Sequence, residues 1–175
     1  MFQYDFSEIQ AQLETLPTLM RAWFGWIGVV VLVSPLLFLR QRQGRVAALF
    51  ALLFLPLLVV TLHTVGISYF ISFLHLVLWL PLLGYLAGEL RDNRITPFST
   101  MGFWSMTMLA TLTVSLVFDL RDAVRWLAGE RGIIAPEPGI YLPWITIPGM
   151  IAAFVGVGAY VTAGLRRVRH GVRER

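Results

Sequence analysis

The sequence predicts an all-α integral membrane bundle of five transmembrane helices, with a short amphipathic helix ahead of the first. Three observations carry this. The 175-residue chain is 57% hydrophobic and only 14% charged, with a mean hydropathy of +0.73, against about 25% charged residues in a soluble domain. Five apolar runs each approach the roughly 20 residues that cross a hydrocarbon core. The arginines sort to one side of those runs.

Before the first span, Phe6, Ile9, Leu13, Leu16 and Met20 recur at spacings of three and four, the signature of an amphipathic helix. Asp5 or Ser7 can cap it, with Glu8 or Gln10 three residues on. Residues 1–20 hold Asp5, Glu8 and Glu14 and no basic residue, so they are read as an interfacial segment and not as a secretory signal, which wants a positive start. Pro17 redirects the chain. Residues 21–166 form the membrane domain and 167–175 a basic cytoplasmic tail.

The predicted spans are Ala22–Leu39, Val46–Leu62, Ile67–Gly88, Phe98–Leu120 and Trp144–Leu165. The second is the shortest. One helix over 46–88 would measure about 65 Å at the α-helical rise, twice the membrane, so a hairpin through His63–Gly66 is required. Thr96 and Pro97 read as N-cap and first helical residue of span four. Asp119–Arg131 keeps helical composition, with Gly132 as its terminator. Ile133–Pro143 carries three prolines and a glycine and reads as a stiff loop anchored by Tyr141 and Trp144 at the headgroups.

Orientation comes from the loops. Arg40, Arg42, Arg45, Arg91, Arg94, Arg166, Arg167, Arg169, Arg173 and Arg175 fall on one side; Arg21, Arg121, Arg125 and Arg131 fall on the other. Arginine-rich short segments stay cytoplasmic, which predicts an outside N-terminus and a cytoplasmic C-terminus in a bacterial-type inner membrane. The pI near 10.1 then reflects a basic face against anionic lipid, not a nucleic-acid partner.

The chain has no cysteine, which excludes disulfides, thiolate nucleophiles and cysteine-held iron–sulfur or zinc centres. Catalytic triads, phosphate-binding glycine loops and metalloprotease motifs are absent. The length leaves no room for a soluble catalytic domain beside five spans. No set of three ligands has metal-binding spacing.

A few polar residues fall where lipid should be. His75 lies nine residues into span three, within about 5 Å of the midplane by helical rise, and shares a face with Ser68, Ser72 and Trp79. An ionisable group inside a span marks a functional site, although a neutral histidine also serves as a simple interhelical hydrogen bonder. Thr107, Thr111, Ser115 and Asp119 recur every four residues on span four; such residues often bond their own helix at i−4. The expected partner of Asp119 is His63 or Arg21, in an outer polar cluster. Asp119 and Asp122, flanked by Arg121 and Arg125, look like surface ion pairs. Pro35, Pro56, Pro81 and Pro148 interrupt four spans, and Ser34 is placed to satisfy the backbone beside Pro35. Gly149, Ala152, Ala153, Gly156, Ala159 and Ala163 give span five a close-packing face.

These features predict a non-catalytic accessory or scaffold subunit of a larger membrane complex. Its partners would be lipids, other membrane subunits or further copies of itself. One alternative is a small oligomeric transporter or channel with a polar path near His75. Another is a redox subunit. No cofactor is expected under the first reading; a haem or quinone at His75 belongs to the last. His63 and His75 are offset by about 10 Å of rise, so one chain does not hold a bis-histidine haem.

Overall fold

The computed structural model describes residues 3–96 and 98–131. These residues are all-helical, and four of their helices are long and apolar enough to cross a membrane. The predicted fifth span, its small-residue face Gly149–Ala163, Pro148, the loop before it and the basic tail lie outside the described residues, as do Pro97 and Gly132.

Helix α1, Phe6–Thr15, starts on a capping box. The Asp5 carboxylate accepts the Glu8 amide at 2.8 Å, and the Glu8 carboxylate accepts the Asp5 amide at 2.7 Å. Two orphan donors are thereby satisfied. No residue of α1 is buried, and Phe6 is 76% exposed. The chain N-terminal to it is strapped to the helix that carries His63: the Gln3 and Tyr4 amides donate to the His63 carbonyl, and His63 Nδ1 lies 2.7 Å from the Tyr4 carbonyl oxygen.

Hydrogen bonds from the Ser7 hydroxyl and the Glu8 amide hold the Asp5 carboxyl below its ordinary range. A group depressed in the folded state contributes stability above its unfolded pKa and loses it as pH falls through the folded pKa. Acidification below the ordinary carboxylate range is therefore expected to fray α1. Hydrogen exchange over Phe6–Thr15 should rise at low pH in the parent. An Asp5→Ala protein should show that faster exchange already at neutral pH.

Pro17 heads α2, Thr18–Ile27, and the same rod continues as a π-turn through Gly28–Val33 and a 3-10 turn through Ser34–Phe38. The π register has a local cause. Pro35 has no amide to donate, and in that register the unserved carbonyl belongs to Val30. The Ser34 hydroxyl donates to it at 2.6 Å. The repair expected of Ser34 is present, and the helix widens around it.

Helix α3 runs Arg42–Val65, 24 residues. It is longer than the apolar run because Arg42, Gln43 and Arg45 continue the helix at one end and His63, Thr64 and Val65 at the other. It ends at Gly66, whose φ of 69° and ψ of −164° suit glycine. A Cβ there would also meet the Gln12 side chain at 2.8 Å, and Gln12 Oε1 accepts the Ile67 amide at 2.9 Å. The turn therefore docks α1.

Helix α4 covers Ile71–Arg91 and α5 covers Thr100–Leu127. Ser99, not Thr96, is the N-cap of α5: its hydroxyl accepts the Gly102 amide at 3.0 Å. At the far end Gly129 adopts φ 99°. Its amide reaches Trp126 at 3.0 Å and the Glu130 amide reaches Arg125 at 3.1 Å, a Schellman termination. The helix thus stops at Gly129, before the predicted terminator Gly132.

Helix α5 is the centre of the bundle. Across its most apolar stretch 61% of residues are buried, against 22–28% for the other three spans. It lies against α4, and Met108 and Leu112 meet Trp79, Leu82 and Leu86 in one core. Leu52, Val60, Val77 and Leu37 remain exposed, as expected of faces whose solvent is lipid.

Candidate functional site at the α1 end of the bundle

Because Gly66–Phe70 form the turn, α4 begins at Ile71. His75 therefore sits on its second turn, about 9 Å from the helix midpoint by rise. It lies nearer the α1 end than the nine-residue count from Ile67 suggested. Asp119 is about 8 Å from the midpoint of the antiparallel α5, in the same direction.

The two residues meet. His75 Nδ1 is 2.7 Å from Asp119 Oδ1, with side chains only 12% and 9% exposed. Ser115 donates to the other carboxylate oxygen, Oδ2, at 3.2 Å. The expected partners of Asp119 are replaced: His63 is engaged with Tyr4, and Arg21 reaches Thr18 at 3.4 Å. Asp119 and Asp122 are both buried, 6% exposed each, so neither is a surface group. Asp122 has Arg121 at 3.5 Å.

The imidazole is held on its faces as well. It stacks on Trp79 with centroids 3.7 Å apart and planes 10° from parallel, and the Phe54 ring lies 5.2 Å away. The i,i+4 spacing of His75 and Trp79 produces this stack. An ionised Asp119 can only accept, so Nδ1 carries the hydrogen and Nε2 of a neutral ring is left as an acceptor. Nε2 has no partner among the described residues, and it is not one of the polar atoms sealed in the core.

His75 borders two cavities. The smaller, about 70 Å³, is also lined by Ser68, Ser72, Ser115, Asp119 and Asp122. Ser68 lies in the turn and not on the α4 face, yet it lines the same space. It is fully buried and its hydroxyl has no protein partner among the described residues. The cavity has room for about two waters at roughly 30 Å³ each. The larger, about 580 Å³, lies among α1, α2, α3 and α4 and is mainly apolar.

The remaining predicted positions separate. Thr107 bonds its own helix, donating to the Phe103 carbonyl at 3.0 Å. Thr111 accepts from Trp26 Nε1 at 3.0 Å, tying α5 to α2. Neither lines the two cavities.

One buried charge was hidden inside a predicted loop. Glu89 is 4% exposed and takes Arg94 at 3.0 Å and Gln43 at 2.8 Å. It staples α3 to the arginine-rich end of α4. It lies fourteen residues after His75 on α4, two heptads along the same face. Among the described residues no cluster of three metal-ligating side chains occurs. Compared with protein-family models, with curated proteins and with solved structures, the chain matches none.

Proposed function

We propose that the chain is a small proton-coupled transport protein of the membrane, working as an oligomer, with His75–Asp119 as the group that takes up and releases the proton. The observation that supports this most is the position of the pair: it is buried, Asp119 lines the smaller cavity, and His75 borders both. Histidine–carboxylate pairs inside spans serve as proton relays. Ser68, Ser72 and Ser115 supply the polar side of the path. The charged groups around it are Asp119 and Asp122 on α5, with Arg21 on α2 and Glu14 on α1 across the larger cavity; α3 presents Phe54, Leu58 and Leu62 there and no charge.

The topology proposed with it has five spans, an outer N-terminus and the arginine-rich face in the cytoplasm of a bacterial-type inner membrane, on the strength of the arginine distribution. Proton flux into liposomes under an imposed pH gradient is the direct test. His75→Ala should reduce it to the level of empty liposomes; unchanged flux rejects the reading.

A second reading, a non-catalytic accessory subunit of a larger complex, is favoured by α1, an amphipathic helix none of whose residues is buried. The absence of reactive groups no longer supports it, because the bundle contains a buried ionisable pair.

A further inference from the structure

The larger cavity asks for a particular ligand. Its 580 Å³ falls within the roughly 300–1,000 Å³ of small-molecule sites. Its wall is mainly apolar: Ile27, Leu58 and Ile71 are among its aliphatic residues, and Phe24 adds a partly exposed ring beside the stack of His75 with the buried Phe54 and Trp79. The imidazole is fixed there by the Trp79 stack on its face and by Asp119 on Nδ1. Nε2 is the hydrogen-bonding atom of that ring left over, and with Nδ1 carrying the hydrogen it accepts.

A matching ligand has three properties. It carries an O–H to donate to Nε2, a flat ring to pack on the apolar wall beside the half-buried Phe24, and an apolar chain for the aliphatic residues. We infer that the cavity binds a quinol-class amphiphile, a phenolic ring on a long apolar chain, with one ring hydroxyl donating to His75 Nε2. This rests on the reading of His75–Asp119 as a ligand-facing, proton-accepting pair, and it names the substrate class of that site. The binding step is a hydrogen bond only; no electron is transferred. A phospholipid would instead set its headgroup at Gln10, Glu14 and Arg21, the polar residues of the same cavity, and leave Nε2 untouched.

The test uses the full chain, labelled with ¹⁵N-histidine, in phosphatidylcholine nanodiscs. Decylubiquinol under reducing conditions is titrated against its 1,4-dimethoxy analogue, which has the same ring and chain but no O–H. The quinol should shift the His75 Nε2 resonance saturably, and the dimethoxy compound should not. Leu58→Trp or, from another wall, Ile71→Phe fills the cavity and should weaken the response at least tenfold while the Nδ1 signal stays in place. Equal shifts from both compounds, no shift at all, or full response in both cavity-filling variants overturns the assignment. The underlying pair is tested separately, without ligand: if Asp119→Asn leaves the Nδ1 resonance unchanged, the pair itself is wrong whatever the quinol does.

Discussion

His75→Ala is expected to destabilise the bundle by about 1–3 kcal/mol or somewhat more, the cost of leaving a buried charged acceptor short of its main partner, and by more than Asp119→Ala. The asymmetry follows from what each change leaves behind. Without His75, the Asp119 carboxylate keeps only the Ser115 hydroxyl at 3.2 Å and must remain charged in an apolar site or take up a proton. Without Asp119, His75 stays a neutral ring, still stacked on Trp79. Loss of a hydrogen bond between helices in a membrane averages only about 0.6 kcal/mol, so Asp119→Ala should cost on the order of 1 kcal/mol. Denaturant titration in mixed micelles measures both, and the double variant closes a cycle whose coupling term isolates the pair. If Asp119→Ala proves the more damaging, the carboxylate is not ionised in the fold.

The reach of the sequence can be judged on the same residues. The apolar runs were legible because hydrocarbon forces every crossing segment to satisfy its own backbone and hide its polar side chains; runs of Leu, Val and Phe are the direct record of that demand. The Asp5–Glu8 capping box and the Ser34–Pro35 repair were legible for a related reason. Both are local devices, completed within four residues. His75 and Asp119 each stood out as ionisable groups inside a span. Their pairing did not, since it depends on where α4 begins and how α4 and α5 are rotated about their axes. The four residues Ile67–Phe70, which lie in the turn and not in α4, moved His75 by just over a helical turn relative to the hydropathy boundary. Partners across 70 and 85 residues, Trp104 with Ser34 and Trp26 with Thr111, are set by the same rotation and leave no periodic trace. Helix ends were misread for another reason. Thr96 and Gly132 have the right chemistry for caps, but Ser99 and Gly129 do too, and the choice falls to whichever residue the packed helix brings to its end.

Gly44→Ala should be the most damaging single methyl that can be added to the described helices. Helix propensity alone favours alanine over glycine by about 1 kcal/mol. Here the space decides otherwise. A Cβ on Gly44 would lie within 2.6 Å of the oxygen, carbonyl carbon and Cβ of Phe38, and two of those atoms are backbone. Phe38 has little freedom to retreat. Its carbonyl accepts the Gln41 amide at 2.9 Å, closing the short link between the first rod and α3, and its ring packs on Trp104 at 4.9 Å. Trp104 Nε1 in turn donates to Ser34 at 2.7 Å, the residue that repairs the π-turn. Overpacking of this kind costs roughly 1–3 kcal/mol and occasionally more, and with a chain of three contacts behind Phe38 the upper end is expected. The control lies on α4. A Cβ at Gly84 or Gly88 meets nothing within 4 Å, so alanine there should be neutral or stabilising by up to about 1 kcal/mol. Unfolding midpoints for Gly44→Ala and Gly84→Ala should move in opposite directions. A Gly44→Ala protein as stable as the parent would mean that the first rod and α3 do not approach at Phe38, and the tight hairpin that sets the arginine-rich end of the bundle would have to be abandoned.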